Sequence, residues 1–262
     1  MATYLDAIVA AHRARAAADT RALEPLLDRA RTEPAARGFR DALARDAVFG
    51  VSVIAEIKRR SPSKGDLAPA LDPEVLAMQY AEGGASCISV LTDVEHFGGS
   101  VADLQAARAA VELPVIRKDF TVSAVDVVDA RLMGADCVLL IAAALDDAEL
   151  ADFHALALEL SLDALVEVHD EAEVARAMAV GAMLVGVNQR DLVTFRVDTA
   201  RAVRLAPQLP DGVVRVAESG ITGPADIAPL GAAGYHAVLV GEHLVTSGDP
   251  AKAVTELRQV SG

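Results

Sequence analysis

Two opposite charges set two residues apart in an apolar run are the first feature of this sequence that could do chemistry. Glu56 and Lys58 follow Val51, Val53, Ile54 and Ala55, with Ile57 between them. On a strand, side chains at that spacing leave from the same face. Taking ions out of water is costly unless they are paired, so core space spent on Glu56 and Lys58 points to a purpose other than packing. Arg59 and Arg60 follow, and then Ser61-Pro62-Ser63-Lys64-Gly65. Cations and hydroxyls in one polar loop suit an anionic ligand.

The use of lysine points the same way. The chain has 20 Arg and 4 Lys, the latter at 58, 64, 118 and 252. Arginine thus carries the solvated positive charge, and three of the four lysines fall in two short polar stretches directly after apolar runs. Lysine, unlike arginine, can give up its proton when its environment lowers its pKa. A lysine held among apolar walls is expected to be shifted in that direction, which makes Lys58 and Lys118 candidates for proton transfer.

The elements that would position these residues alternate along the chain. Short β-branched runs at 51–57, 87–91, 115–117, 137–141, 164–168, 183–187, 213–217 and 237–240 are separated by helix-length segments. Such alternation argues for a parallel sheet. Eight units in 262 residues argue for closure into a (β/α)8 TIM barrel, whose usual length is about 250 residues. Gly84, Gly134, Gly181 and Gly234 precede the even-numbered strands at intervals of 50, 47 and 53 residues, an internal echo of two βα units per repeat. Residues 1–48 read as an N-terminal helical extension with a stripe at Leu5, Ile8, Val9 and His12. Alone it would bury too little to fold. We therefore expect it to pack on a barrel of residues 49–262, in one structural domain overall.

Composition excludes several partners. A net charge of −14 argues against nucleic acid and anionic membrane surfaces, which require a basic face. No apolar run reaches the roughly 20 residues of a membrane span, and the first residues lack a signal-peptide core, so a cytoplasmic protein is expected. Cys87 and Cys137 lie in apolar runs and read as buried reduced thiols. No HExxH, cysteine cluster, dinucleotide-binding or P-loop pattern is present in the sequence, so no metal or cofactor is expected.

In a barrel of this kind chemistry gathers where the strands end. Strand one delivers Glu56 and Lys58, strand three Lys118 and Phe120, strand five Glu167 followed by His169, and strand six Asn188 and then Arg190. Strand seven delivers Glu218, Ser219 and Gly220, and strand eight Gly241 and Glu242. Any one charge pair could simply close the barrel, whereas the whole set on one rim describes an acid–base site. Gly220 and Gly241 after the last two strands would let backbone N–H groups approach a phosphate, with Ser61 adding a hydroxyl from across the mouth.

These residues carry a family resemblance. AEIKRRSPSKG (55–65), RKDF (117–120), VEVHD (166–170), GVNQRDL (186–192) and AESGI (217–221) resemble indole-3-glycerol phosphate synthase over essentially the whole chain. The resemblance implies a barrel enzyme of tryptophan biosynthesis that needs no cofactor or metal. It implies a small-molecule substrate, 1-(2-carboxyphenylamino)-1-deoxyribulose 5-phosphate, which is closed, decarboxylated and dehydrated to the indole. It further implies that Lys118 is the general acid of ring closure and that Glu167 is the base acting afterwards. Lys58 would hold the substrate carboxylate and serve as an acid in dehydration. Glu56, Asn188 and Glu218 would position the lysines and the sugar hydroxyls, and Arg190 would lie near the carboxylate. Phosphate would sit on Ser61, Gly220 and Gly241, with Ser219 also among the substrate-binding residues. Phe97, Phe120, Leu139 and Leu192 would line the anthranilate pocket. A monomer or weak homodimer is expected. One departure is Glu242, where many members carry serine. A second function fits the fold alone: a non-catalytic sugar-phosphate-binding barrel, a paralogue or partner subunit, which would keep the glycines and Ser61 without needing both Lys118 and Glu167.

Overall fold

In the computed structural model, which describes residues 4–62, 64–191 and 193–259, eight parallel strands close on themselves. They are β1 (Ser52–Ile57), β2 (Cys87–Leu91), β3 (Val115–Lys118), β4 (Cys137–Ile141), β5 (Asp163–Val168), β6 (Leu184–Asn188), β7 (Val214–Glu218) and β8 (Ala237–Val240). Each pairs with its neighbour in sequence, and β1 pairs with both β2 and β8, so the barrel has no free edge. At least one helix separates each pair of successive strands. The fold is the expected α/β class, a (β/α)8 TIM barrel.

Three strands run one residue further than their apolar runs. Lys118, Asn188 and Glu218 are the last residues of β3, β6 and β7, because each still has a backbone partner: Leu91 lies opposite Lys118, and Asn188 opposite Glu218. The polar loop after β1 is also more ordered than its composition predicts. Arg60–Ser61 and Gly65–Asp66 pair antiparallel in a small hairpin.

Alternation along the strands separates two cores. In β1, Val53, Ala55 and Ile57 face the helices and join the larger apolar cluster. Ile54 joins a second cluster inside the barrel with Cys87, Ile116, Cys137, Leu139, Leu165, Leu184, Val216 and Leu239. The residues two positions beyond these interior side chains include Glu56, Lys118, Glu167 and Glu218, so each rises from the same face directly above an apolar layer. The two cysteines are free and buried within that layer.

The extension holds the barrel at both ends. Helix α3 (Phe39–Asp46) closes the floor: Phe39, Ala42 and Leu43 are buried in the interior cluster, and Ser52 Oγ donates to the carbonyl of Leu43 at 2.9 Å. Helix α2 (Leu23–Ala30) buries Leu26, Leu27 and Ala30 on the outer layer. Helix α1 (Tyr4–Ala18) reaches the opposite end, where Arg13 pairs with Glu149 at 2.6 Å and His12 Nε2 lies 2.9 Å from Asp93 Oδ2. Among the described residues no helix is long and apolar enough to cross a membrane.

Asp136, just before β4, ties the extension to the floor. It is fully buried and accepts from the backbone N–H of Arg37 and of Val115, both at 2.8 Å, and from Arg108 Nη1 at 3.0 Å. Asp136→Ala leaves one buried and two part-buried donors without this acceptor, and it should destabilise the fold by about 3 kcal/mol. Urea unfolding followed by circular dichroism measures this; a loss under about 0.5 kcal/mol, the range of ordinary surface substitutions, would overturn the role.

Candidate active site

At the C-terminal end of the strands lies one cavity of about 600 Å3. Its floor is ionic. Lys58 Nζ, continuing the inward face of β1, donates to Glu56 Oε1 at 2.6 Å. Across the barrel Lys118 Nζ lies 3.1 Å from Glu167 Oε2 and 3.4 Å from Glu218 Oε2. Asn188 Nδ2 donates to the other oxygen of Glu167 at 2.9 Å. Ser89 Oγ, on the inward face of β2, is 3.4 Å from Glu56 Oε2.

Burial and neighbours set the charges. Burial disfavours the charge on Lys118, but Glu167, Glu218 and Glu56 together outweigh it and hold the pKa well above the ordinary lysine value. This reverses the expectation of a lowered lysine pKa: the wall around Lys118 is made of carboxylates as well as apolar groups. Glu167 loses more to burial than to any other single effect, yet Lys118, His169 and the Asn188 hydrogen bond keep its pKa below the usual value. Glu218 goes the other way. Burial, with the charges of Glu167 and Glu56, outweighs Lys118 and raises it to about 8. At neutral pH the cluster therefore contains a cationic Lys118, an ionised Glu167 and a protonated Glu218. Environment has split two carboxylates on one lysine into an ionised and a neutral one.

Two glycines make this packing possible. A Cβ built on Gly186 of β6 would lie 2.0 Å from Glu218 Oε1, and one on Gly241 would lie 2.4 Å from Glu56 Oε1 and 3.0 Å from Lys58 Nζ. Gly220 has φ +77°, and its Cβ would meet Val197 at 2.5 Å. The preceding Ser219 has φ +65°, an uncommon conformation for a residue with a side chain. Ser219, Gly220, Gly241 and Ser61 all line the cavity, and a glycine right after a strand lets the backbone approach a ligand closely.

The remaining wall is largely apolar. Phe97, Phe120 and Leu139 line it, as does Arg190, whose guanidinium donates to the carbonyl of Phe195 at 3.2 Å. Leu192 lies outside the described residues. Glu242 also lines the cavity, and its Oε1 pairs with Lys64 Nζ at 2.8 Å. The carboxylate beside the glycine turn thus faces a cation from the hairpin.

Strand-end reasoning did not find Leu5, Ile8 or Phe195, which are also among the lining residues. The stripe at Leu5, Ile8 and His12 marked an apolar helix face but not where that face docks. Phe195 lies in the loop after β6, and the one available signal was an aromatic in a polar segment of a chain with 6 Phe. The helix α1 roof is fixed by His12, whose ring lies 5.1 Å from that of Phe120.

Comparison with known proteins agrees with this geometry. The family model described as indole-3-glycerol phosphate synthase matches residues 5–257. A protein of that name from Nocardioides sp. is 58% identical over 221 residues, 84% of this chain and 85% of the relative. Another, from Kineococcus radiotolerans, is 51% identical over 261 residues, 97% of this chain and 94% of the relative. Among solved structures, 3-hexulose-6-phosphate synthase from Salmonella typhimurium superposes with a TM-score of 0.65 at 15% identity, covering 80% of this chain and 98% of that one; that likeness concerns the fold alone. With the family matched along nearly the whole barrel and extension, the chain belongs to the indole-3-glycerol phosphate synthases, carboxy-lyases of tryptophan biosynthesis.

Proposed function

We propose that Lys118 and Glu167 are the acid and base of the reaction, and that the rest of the rim holds the substrate between them. The observation that carries this reading is their 3.1 Å contact inside a cavity with an apolar wall. Ring closure joins the ring carbon bearing the carboxylate to the ribulose carbonyl carbon. As that bond forms, the carbonyl oxygen gains charge and takes a proton from the Lys118 ammonium. A lysine held as a cation is ready for this donation, and the alkoxide is basic enough to take the proton. The carboxylate then leaves as CO2, and the electrons of the broken bond restore the aromatic ring. In dehydration the new hydroxyl leaves as water with a proton from Lys58, while Glu167 removes one from the adjacent carbon.

Binding roles follow from position. Arg190 and Lys58 face the substrate carboxylate; Phe97, Phe120 and Leu139 enclose the aromatic ring. Ser61, Ser219, Gly220 and Gly241 take the phosphate. Glu56 orients Lys58 across 2.6 Å, and Asn188 orients Glu167 across 2.9 Å. Glu218, neutral at pH 7, stays close to Lys118 without adding a further charge. The same reading takes the enzyme to be cytoplasmic, a monomer or weak homodimer acting on a small molecule and not on nucleic acid. A net charge of −14 supports the last point.

The test is turnover of 1-(2-carboxyphenylamino)-1-deoxyribulose 5-phosphate followed by indole fluorescence without added metal. Lys118→Met should lose about three orders of magnitude in kcat, within the usual contribution of a positioned acid, and parental turnover in this variant would sink the assignment. Gly186→Ala must displace the Glu218 carboxyl, since its Cβ would fall 2.0 Å from Oε1. A displacement of about 1 Å beside the acid should cost roughly 10²-fold in kcat/KM; an unchanged value would show that the position of Glu218 is not coupled to catalysis.

A further inference from the structure

His169 stands outside the set of rim residues assigned above, yet its surroundings tie it to one of them. It follows Glu167 by two residues and so leaves the chain on the same face. Its side chain is largely buried. Glu173, in the first turn of the helix Glu171–Ala179, grips it twice. Glu173 Oε2 accepts from the backbone N–H of His169 at 2.7 Å and lies 3.0 Å from ring Nδ1. A carboxylate can only accept, so Nδ1 carries the proton of that contact. Ring rotation and tautomer are both set by Glu173. The other nitrogen, Nε2, is buried without a hydrogen-bond partner among the described residues and lies 3.6 Å from Glu167 Oε1. That separation is too long for a hydrogen bond but within reach of charge. Glu167 Oε2 is taken by Lys118, and Oε1 is shared between Asn188 and the side His169 faces.

We propose that His169 is a positioning residue for Glu167, its imidazole anchored by Glu173 on one nitrogen so that the other is presented to the catalytic carboxylate. The inference rests on the reading of Glu167 as the base. The groups that act electrostatically on His169 are Glu167 on β5, Glu173 on the following helix and Arg201 of the helix Arg201–Leu205. Burial and Arg201 oppose protonation of the ring; the Glu173 hydrogen bond and the two carboxylates outweigh them and raise its pKa. The protonated form of the ring is therefore favoured more than in a free imidazole. When the ring is protonated, its charge beside Oε1 does for that oxygen what Lys118 does for Oε2: it favours the ionised form on which a base depends.

The pH profile of kcat/KM, which reports the free enzyme, separates this role from a merely structural one. Glu167 acts ionised, so its titration sets an acidic limb. A neighbouring cation lowers that pKa, and removing it raises the pKa, so the limb moves to higher pH. His169→Asn should move it up by about one pH unit, the lower end of the effect of a close opposite charge on a carboxyl. Glu173→Gln should move it the same way by less, because it weakens the charge on the ring without deleting it, and it serves alone if His169→Asn does not fold. The substrate is the same throughout, so its own ionisations cancel in the comparison. A limb at the parental pH in whichever of these variants fold, whatever their loss of rate or stability, overturns the inference. Glu167→Gln run alongside distinguishes the underlying reading. If it abolishes turnover while the His169 and Glu173 variants keep the parental limb, only the positioning role fails; if it keeps parental turnover, the reading of Glu167 as the base fails.

Discussion

The structure depends on the compensation of charge taken out of water. Lys118, Glu167 and Glu218 are all buried, and an isolated ion there would cost several kcal/mol or neutralise. One lysine cannot keep two carboxylates charged. Glu167 has additional support from Asn188 and His169, whereas Glu218 has an oxygen with no hydrogen-bond partner among the described residues, and its pKa rises instead. The difference between two glutamates at equivalent strand ends is therefore decided by their neighbours, and those neighbours come from β3, β5, β6 and β7. Opening the barrel between any of them would remove the compensation.

Dehydration of this cluster is shared between the barrel and the extension. Beneath it lies the interior layer of Ile54, Ile116, Leu165 and Val216, itself closed from below by Phe39 and Leu43 of α3. Above it, Leu5 and Ile8 of α1 roof the cavity, with His12 clasped to Asp93. One segment of chain thus serves both ends of the barrel, and low dielectric is what makes the ionic contacts strong enough to fix side-chain geometry. The acidic surface does not conflict with an anionic substrate. The cations that matter are inside the mouth, where screening by solvent is weak, and Lys64 at the rim meets Glu242 at 2.8 Å, so that carboxylate is paired.

The barrel was legible because its signals are local and repeated. Each β-branched run marks a strand, and each glycine before an even strand marks a helix end. Glu56 and Lys58 were legible for a different reason: charge on the inward face of an apolar strand has no packing role. Lys118, Asn188 and Glu218 were found at strand ends, although the strands include them, since apolar patterning stops one residue before backbone pairing does. Leu5, Ile8 and Phe195 were not legible as lining residues, because helix docking and loop return are long-range events with no local pattern. The direction of the Lys118 pKa was also missed. It depends on how many carboxylates converge on one nitrogen, which strand spacing alone does not give.

Proton balance gives a reason for placing acid and base in contact. Under the proposed roles the substrate carboxylate leaves as CO2, and the carbonyl oxygen leaves as water after gaining two protons. Glu167 recovers one from the carbon skeleton. Turnover therefore consumes one proton from solvent and must return the other to the acid. Across 3.1 Å the proton on Glu167 can pass directly to the Lys118 amine, because the carboxylate and ammonium it leaves stabilise each other, with the charge of Glu56 adding to the pull on the lysine. A lysine with a lowered pKa, as first expected from burial, would be the easier donor in the first step but the poorer acceptor in the last. The carboxylate ring around Lys118 favours recovery of the starting state, and it does so without hindering donation to an alkoxide, which is a stronger base than the amine.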